Sequence, residues 1–188
     1  GKVNPSGKLA DTWAYKYEDY PSSEKFSHNN GNVETELYDE GIYVGYRYFE
    51  TFCPEKVMYE FGFGLSYSKF DIEILKAETV TEESKVGGAW GSHGVSIDNG
   101  TCAGKEVQIT ICVKNTGDCR GKEVVQVYVQ APQGKLGKPA RELKAFAKTK
   151  ELAPGEKQKM TLHIPVKNLA SYDDSGVAGH KSCYVSEA

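Results

Sequence analysis

No apolar run in this 188-residue chain approaches the ~20 residues that a bilayer-spanning helix requires. The opening stretch, Gly1 to Trp13, has no apolar centre of the kind a secretory leader needs. Blocks of like charge are missing too, since 23 basic and 26 acidic residues are interspersed to a net of −3. That argues against nucleic acid and anionic membranes as partners. Cysteine is present without pattern. Cys53, Cys102, Cys112, Cys119 and Cys183 form an odd set with no C-x-x-C spacing, and none shares ligand-like spacing with a histidine. No metal site and no cofactor is expected. The thiols read as free in a reducing compartment, a bacterial cytoplasm. One disulfide among Cys102, Cys112 and Cys119 is the alternative for the cysteines, and secretion the alternative for the compartment. His28, His163 and His180 form no constellation.

What the chain does have is a strip from Tyr38 to Phe70 with six tyrosines, five phenylalanines and four glycines in 33 residues. Aromatic rings bury the most area per residue, and each tyrosine hydroxyl needs a partner when buried. Glycines beside them permit close backbone approach or positive φ. Such a strip reads as a fixed, ring-lined seam joining two bodies, rather than as a helix or a flexible linker. Upstream, Tyr15 to Asn32 is polar and reads as an extended surface segment.

From Phe70 the pattern turns to alternation. Phe70, Ile72 and Ile74 share one face of a strand; Val107, Ile109, Ile111 and Val113 share another. Val125, Val127 and Val129 follow the turn Asn115-Thr116-Gly117-Asp118. Leu143 to Lys150 is a further strand, anchored by Leu143 and Phe146, whose spacing of three predicts a bulge. Met160, Leu162 and Ile164 form an inner face after the turn Ala153-Pro154-Gly155-Glu156, and a short helix or turn follows at Asn168 to Tyr172. Strands of this length with one wet face each predict an antiparallel β-sandwich. Thr79 to Gly104 reads as a long loop.

These residues resemble a known family. YDEGIYVGYRYF (Tyr38 to Phe49), then YEFGFGLSYSKF (Tyr59 to Phe70), are similar to the end of the second domain of glycoside hydrolase family 3, which includes many β-glucosidases. NPSGKLADTW (Asn4 to Trp13) resembles the phrase just upstream. KNTGDCRGKEVVQVYV (Lys114 to Val129), RELKAFAKTKELAPGEKQKMTLHI (Arg141 to Ile164) and LASYDD (Leu169 to Asp174) are similar to successive strands of the family's fibronectin type III-like domain. The resemblance implies that residues 1–69 end an α/β/α sandwich domain. Residues 70–188 would form a fibronectin type III-like, immunoglobulin-like sandwich lacking its last strand. It also implies that the chain is a piece cut at both ends, a structural portion of a retaining β-glucosidase. The partners would be the barrel and α/β/α domains of the same polypeptide, and a β-glucoside would be met only through them. The nucleophilic Asp and acid/base Glu would lie elsewhere. The other reading is a free-standing immunoglobulin-like module that binds carbohydrate or protein.

The carboxylates agree with a scaffold role. A retaining glycosidase needs two carboxyl groups about 5–5.5 Å apart. Asp39-Glu40, Glu18-Asp19 and Asp173-Asp174 are adjacent pairs, which on an extended chain point to opposite faces. Tyr46, Arg47, Tyr48, Phe61, Gly62, Phe63, Gly64 and Tyr67 are assigned to the seam. Arg47 is expected to be buried and held by a carboxylate or carbonyls, a sugar hydroxyl being the alternative. Trp90 and His93, in the glycine-rich loop, are the candidates for sugar contact, against a plain loop tip.

Overall fold

The structure, a computed structural model, describes residues 2–81, 105–179 and 181–186. Trp90, His93, His180 and Cys102 lie outside the described residues.

Before Phe70 the chain forms little regular structure. Strand β1 (Trp13–Ala14) pairs antiparallel with β2 (Val57–Tyr59), and helix α1 (Tyr46–Phe52) lies between them in sequence. The helix corrects the expectation that the aromatic strip is not helical. Gly45 takes φ +59 at its N-cap, and Pro54 lies just beyond its last turn. Between these stops, Tyr46 and Phe49 sit three residues apart, on one helix face, and both are buried. Packing of that face, rather than propensity, holds a helix this short.

From Phe70 the expected alternation becomes sheet. The strands are β3 (Phe70–Thr81), β4 (Lys105–Asn115), β5 (Val124–Val129), β6 (Glu142–Lys148), β7 (Lys157–Pro165), β8 (Ser171–Asp173) and β9 (Cys183–Val185). Sheet order is β3-β4-β7 in one layer and β5-β6 in the other, with β8-β9 as a separate antiparallel pair. A 3-10 turn at Val166–Leu169 precedes β8. The core is Ile111, Val113, Val125, Leu152 and Leu162, with Phe70, Ile109, Val127, Ala145, Ala147 and Met160 packed against it. Each such aliphatic side chain, fully buried, is worth about 1.5–3 kcal/mol.

Two strands carry bulges. In β6 the register passes from Val127↔Ala145 to Tyr128↔Leu143, so Lys144 is the extra residue. The bulge agrees with the spacing of Leu143 and Phe146, but Phe146 does not anchor the core. It is 70% exposed, opposite Gln126, while Ala145 and Ala147 take the inward positions. In β3, Leu75 is extra, and Ile72 and Ile74 lie opposite Val113 and Ile111.

One polar side chain ties the sandwich together internally. Asn115 is fully buried with all its hydrogen-bonding capacity used. Its Oδ1 accepts from Ser68 Oγ (2.6 Å) and Gly117 N–H (3.0 Å), and its Nδ2 donates to the carbonyls of Cys119 (2.8 Å) and Leu152 (2.9 Å). A satisfied buried amide of this kind fixes one arrangement of three loops. The four described cysteines, Cys53, Cys112, Cys119 and Cys183, are free thiols.

Candidate functional site

The seam lies on the outer face of the β5-β6 layer. Alternation sends Val125 and Val127 to the core, so Gln126 and Tyr128 point the other way, and the Tyr128 hydroxyl donates to Gln126 Oε1 (3.1 Å). Tyr46 of α1 packs edge-on against Tyr128, ring centroids 5.8 Å apart, and 5.0 Å from Phe61. Its hydroxyl oxygen accepts the N–H of Leu143 (2.8 Å), beside the β6 bulge. Burial raises the Tyr128 phenol above its ordinary range. Arg141 lies over the same ring at 4.7 Å and grips Glu50 of α1 through two N–H···O bonds (2.5 and 2.7 Å). That carboxylate holds the guanidinium's pKa above its usual value. Thr51 Oγ1, also on α1, accepts the N–H of Ala140 (2.9 Å).

The glycines of the FGFG run serve the same contact. Gly62 has φ +87, and a Cβ there would come within 2.3 Å of Gln126 Oε1. Its N–H donates to Leu9 O (2.7 Å), while Leu9 N–H donates to Phe63 O (2.8 Å). At Gly64 a Cβ would meet only the flexible Lys8 side chain, at 2.8 Å. Phe63 and Tyr67 are exposed, although the Tyr67 N–H is held by Asn4 Oδ1 (2.8 Å).

Tyr48 packs its ring on Phe49 and Phe52, and burial followed by the Cys53 thiol raises its phenol pKa. Arg47 is not the buried cation the sequence suggests. Its side chain is 37% exposed, and Nε stands 3.4 Å from Glu142 Oε1. That Nε is itself buried and makes no hydrogen bond, so the contact with Glu142 is an ion contact only.

Sequence reasoning missed Asn4. In the sequence it stood only as the first residue of the NPSGKLADTW phrase, yet its Oδ1 also accepts from Ser66 Oγ (3.2 Å), and its Nδ2 donates to Arg120 O (2.9 Å). Lys8 adds an ion pair to Glu123 (2.7 Å). These partners lie 62 or more residues away, beyond any periodic signal.

One carboxylate of each acidic pair has a structural partner. Asp39 pairs with Lys25, and Asp19 with Lys56. The fully buried Asp173 carboxylate accepts the N–H groups of Gly176, Val177 and Ala178. No group of three His, Cys, Asp or Glu among the described residues could hold a metal ion. No helix among them is long and apolar enough to cross a membrane.

The other side of the strip is open. Trp13, Tyr15, Met58, Tyr59 and Phe63 are exposed around the β1-β2 pair. Trp13 and Tyr59 meet at 71° and Tyr59 and Phe63 at 46°, so the rings do not form the flat platform on which a sugar ring stacks.

Comparison with known proteins places this arrangement. Residues 1–46 match the glycosyl hydrolase family 3 C-terminal domain, and residues 123–183 the fibronectin type III-like domain. The chain belongs to glycoside hydrolase family 3. A β-glucosidase of Ruminococcus albus is 45% identical over 188 residues, which is all of this chain and 17% of the relative. β-Glucosidase A of Butyrivibrio fibrisolvens is 49% identical over 178 residues, 94% of this chain and 20% of the relative. Among solved structures, a β-glucosidase from Paenibacillus barengoltzii superposes with TM-score 0.81 at 50% identity, over 100% of this chain and 18% of that one. β-Glucosidase 3B of Thermotoga neapolitana, in complex with glucose, gives 0.72 at 41% identity, over 92% of this chain and 21% of that one. The family 3 chain described here thus spans about a fifth of the length of the relatives it matches. Its fold is mainly antiparallel β with a fibronectin type III-like domain.

Proposed function

We propose that these residues are the carboxyl-terminal scaffold of a retaining β-glucosidase that removes terminal β-linked glucose. In this role residues 1–69 close an α/β/α domain and residues 70–188 form the sandwich clamped to it. The nucleophilic aspartate and acid/base glutamate come from the rest of the polypeptide. The seam residues, with Tyr46, Gly62 and Phe61 at the centre, hold the sandwich in fixed orientation. Trp90 and His93, outside the described residues, remain the candidates for contact with sugar.

One observation carries the proposal. The β1-β2 pair is a fragment of sheet two and three residues long, ringed by exposed aromatics. A two-stranded scrap of this size is not stable by itself in water, and aromatic patches of this kind mark interfaces. The natural cover is the remainder of a polypeptide about five times longer, judged by the relatives. One member of each adjacent acidic pair is engaged in a turn or an ion pair, which supports a chain without its own catalytic couple.

The test is hydrolysis of an aryl β-glucoside. The longer polypeptide should release glucose first as the β-anomer, read by NMR. The isolated 188 residues should give no turnover. Activity of the isolated chain, lost on mutating one of its own carboxylates, would overturn the assignment.

A further inference from the structure

The seam occupies the outer face of the β5-β6 layer, so the outer face of β3-β4-β7 is the opposite surface of the sandwich. Ile111 and Val113 of β4 face the core, and Gln108, Thr110, Cys112 and Lys114 therefore face outward. Strand pairing fixes what stands level with them. On β3 these neighbours are Glu78, Lys76, Glu73 and Asp71, in that order. On β7 they are His163, Thr161, Lys159 and Lys157. The residues of β3 and β7 are exposed, and those of β4 half-buried.

This face is divided by sign. The β3 margin is mainly acidic, the β7 margin is basic, and Gln108, Thr110 and Cys112 form an uncharged row between them. Some of the charges are matched within the chain, Lys76 by Glu78 (2.8 Å) and His163 by Glu106 (3.0 Å). Asp71, Glu73, Lys157 and Lys159 form no ion pair among the described residues. They stand at opposite margins, two strand spacings or about 10 Å apart. A complementary partner must set a basic row over β3 and an acidic row over β7, at the same levels. A second copy does so when turned about a two-fold axis lying along β4. Asp71 then opposes Lys157 of the second copy, and Glu73 opposes its Lys159, each pair occurring twice. A two-fold across the strands would instead set acid on acid and base on base. The uncharged row falls on the axis, as suits an interface centre, where charged residues are depleted. Lys114 meets its twin at one end of the axis, with Asp71 of its own sheet beside it.

We propose that the outer face of β3-β4-β7 is a self-association surface, on which two copies of the polypeptide meet about a two-fold axis along β4. The face is about 30 Å long and about 10–15 Å across its three strands. It covers well under the roughly 800 Å² per partner of a standard stable interface, so the dimer is weak and reversible. Most of its attraction is between exposed charges, which salt screens. Association through this face leaves both seams on the outside of the dimer. The inference takes from the functional reading only that the chain is part of a longer polypeptide.

The experiment is sedimentation velocity of the longer polypeptide over a concentration series. A monomer–dimer equilibrium is expected, with Kd rising at least roughly tenfold between about 0.05 and about 0.5 M sodium chloride. Glu73→Lys and Lys159→Glu should each weaken self-association at least roughly tenfold, since like charges then oppose at both margins. Mixed in equal amounts, these two variants should form a heterodimer, because unlike charges are restored at both margins. The variant carrying both changes should dimerise as the unaltered polypeptide does. Facing sheets lie about 10 Å apart, so a short-arm bismaleimide should join Cys112 of one copy to Cys112 of the other. Peptide mass analysis identifies that product, which Cys112→Ser should remove. A monomer at every concentration, a dimer indifferent to salt, or no association on mixing the two single variants would overturn the proposal. So would a dimer without the Cys112 cross-link. These outcomes hold whether or not the polypeptide hydrolyses a β-glucoside, so failure of the functional reading is seen separately.

Discussion

Leu152 and Tyr59 mark two ways of placing an apolar side chain in this molecule. Leu152 is wholly enclosed by strands of its own sandwich, while Tyr59 stands 37% exposed on a two-stranded scrap of sheet. The sandwich from Phe70 onward encloses a core from its own strands. The region before Phe70 turns one side, Tyr46 and Phe49, inward and leaves Trp13, Phe52, Met58 and Phe63 outside. The difference separates residues that stabilise this chain from residues whose stabilising effect requires a surface beyond it.

The sharpest break in the comparison is Leu152→Ala. Leu152 is in the core and exchanges backbone hydrogen bonds with Gly121 in both directions (3.1 and 2.8 Å). Truncation should cost about 2–5 kcal/mol, as for other buried leucines. Urea unfolding of the isolated chain reads this as a lowered midpoint with unchanged slope.

Next is Gly62→Ala, at the junction of the two regions. The residue combines φ +87 with a Cβ position 2.3 Å from Gln126 Oε1. Left-handed strain for a non-glycine residue is about 1–3 kcal/mol, and Gln126 must also move. The Tyr128 hydroxyl, which bonds that amide, moves with it. Thermal melting should fall, with loss of near-ultraviolet tyrosine signal from the seam.

A pH series separates the half-buried Tyr128 ring from the open ones. Burial, opposed by Arg141, raises the Tyr128 pKa in the folded state. A group with a raised folded pKa contributes fully below its unfolded value, about 10. Its contribution is lost as pH rises from there through the folded value. The urea midpoint should therefore decline above pH about 10, and the decline should be shallower in Tyr128→Phe.

How much of this was legible depended on distance along the chain. Alternation in β4, β5 and β7 placed Ile111, Val125 and Leu162 correctly, because a period of two is a local property. Phe146 was misplaced because the extra Lys144 shifts the phase after Leu143; spacing announced the bulge but not which residue it expels. The helix Tyr46–Phe52 was hidden by its composition, since tyrosine and phenylalanine are weak helix formers and the segment is held by tertiary packing. Its boundaries at Gly45 and Pro54 were nevertheless written in the sequence. Asn4 and the Glu50–Arg141 pair could not be read at all, their partners being 62 to 116 residues distant.

Arg47→Ala tests a weaker element of the seam. A buried, paired arginine would cost about 3–5 kcal/mol on truncation. With 37% of the side chain exposed and only an ion contact to Glu142, itself shared with Lys144, the loss should be about 0–1 kcal/mol. A shift larger than that in the melting midpoint would mean that the ring contact with Tyr46 carries more than the charge.

The smallest effect should come from the open side of the strip, and it is the most informative one. Tyr59→Ser and Phe63→Ser remove rings that touch each other 4.9 Å apart and face water. In the isolated chain each should shift stability by no more than about 0.5 kcal/mol, the usual range for surface positions. In the longer polypeptide the same changes should cost about 3–5 kcal/mol each, the value for buried aromatics cut back to small side chains. Differential scanning calorimetry of both forms gives the contrast directly. Equal small shifts in both would mean that nothing covers these rings, and the comparison between an inward-facing sandwich and an outward-facing strip would lose its functional meaning.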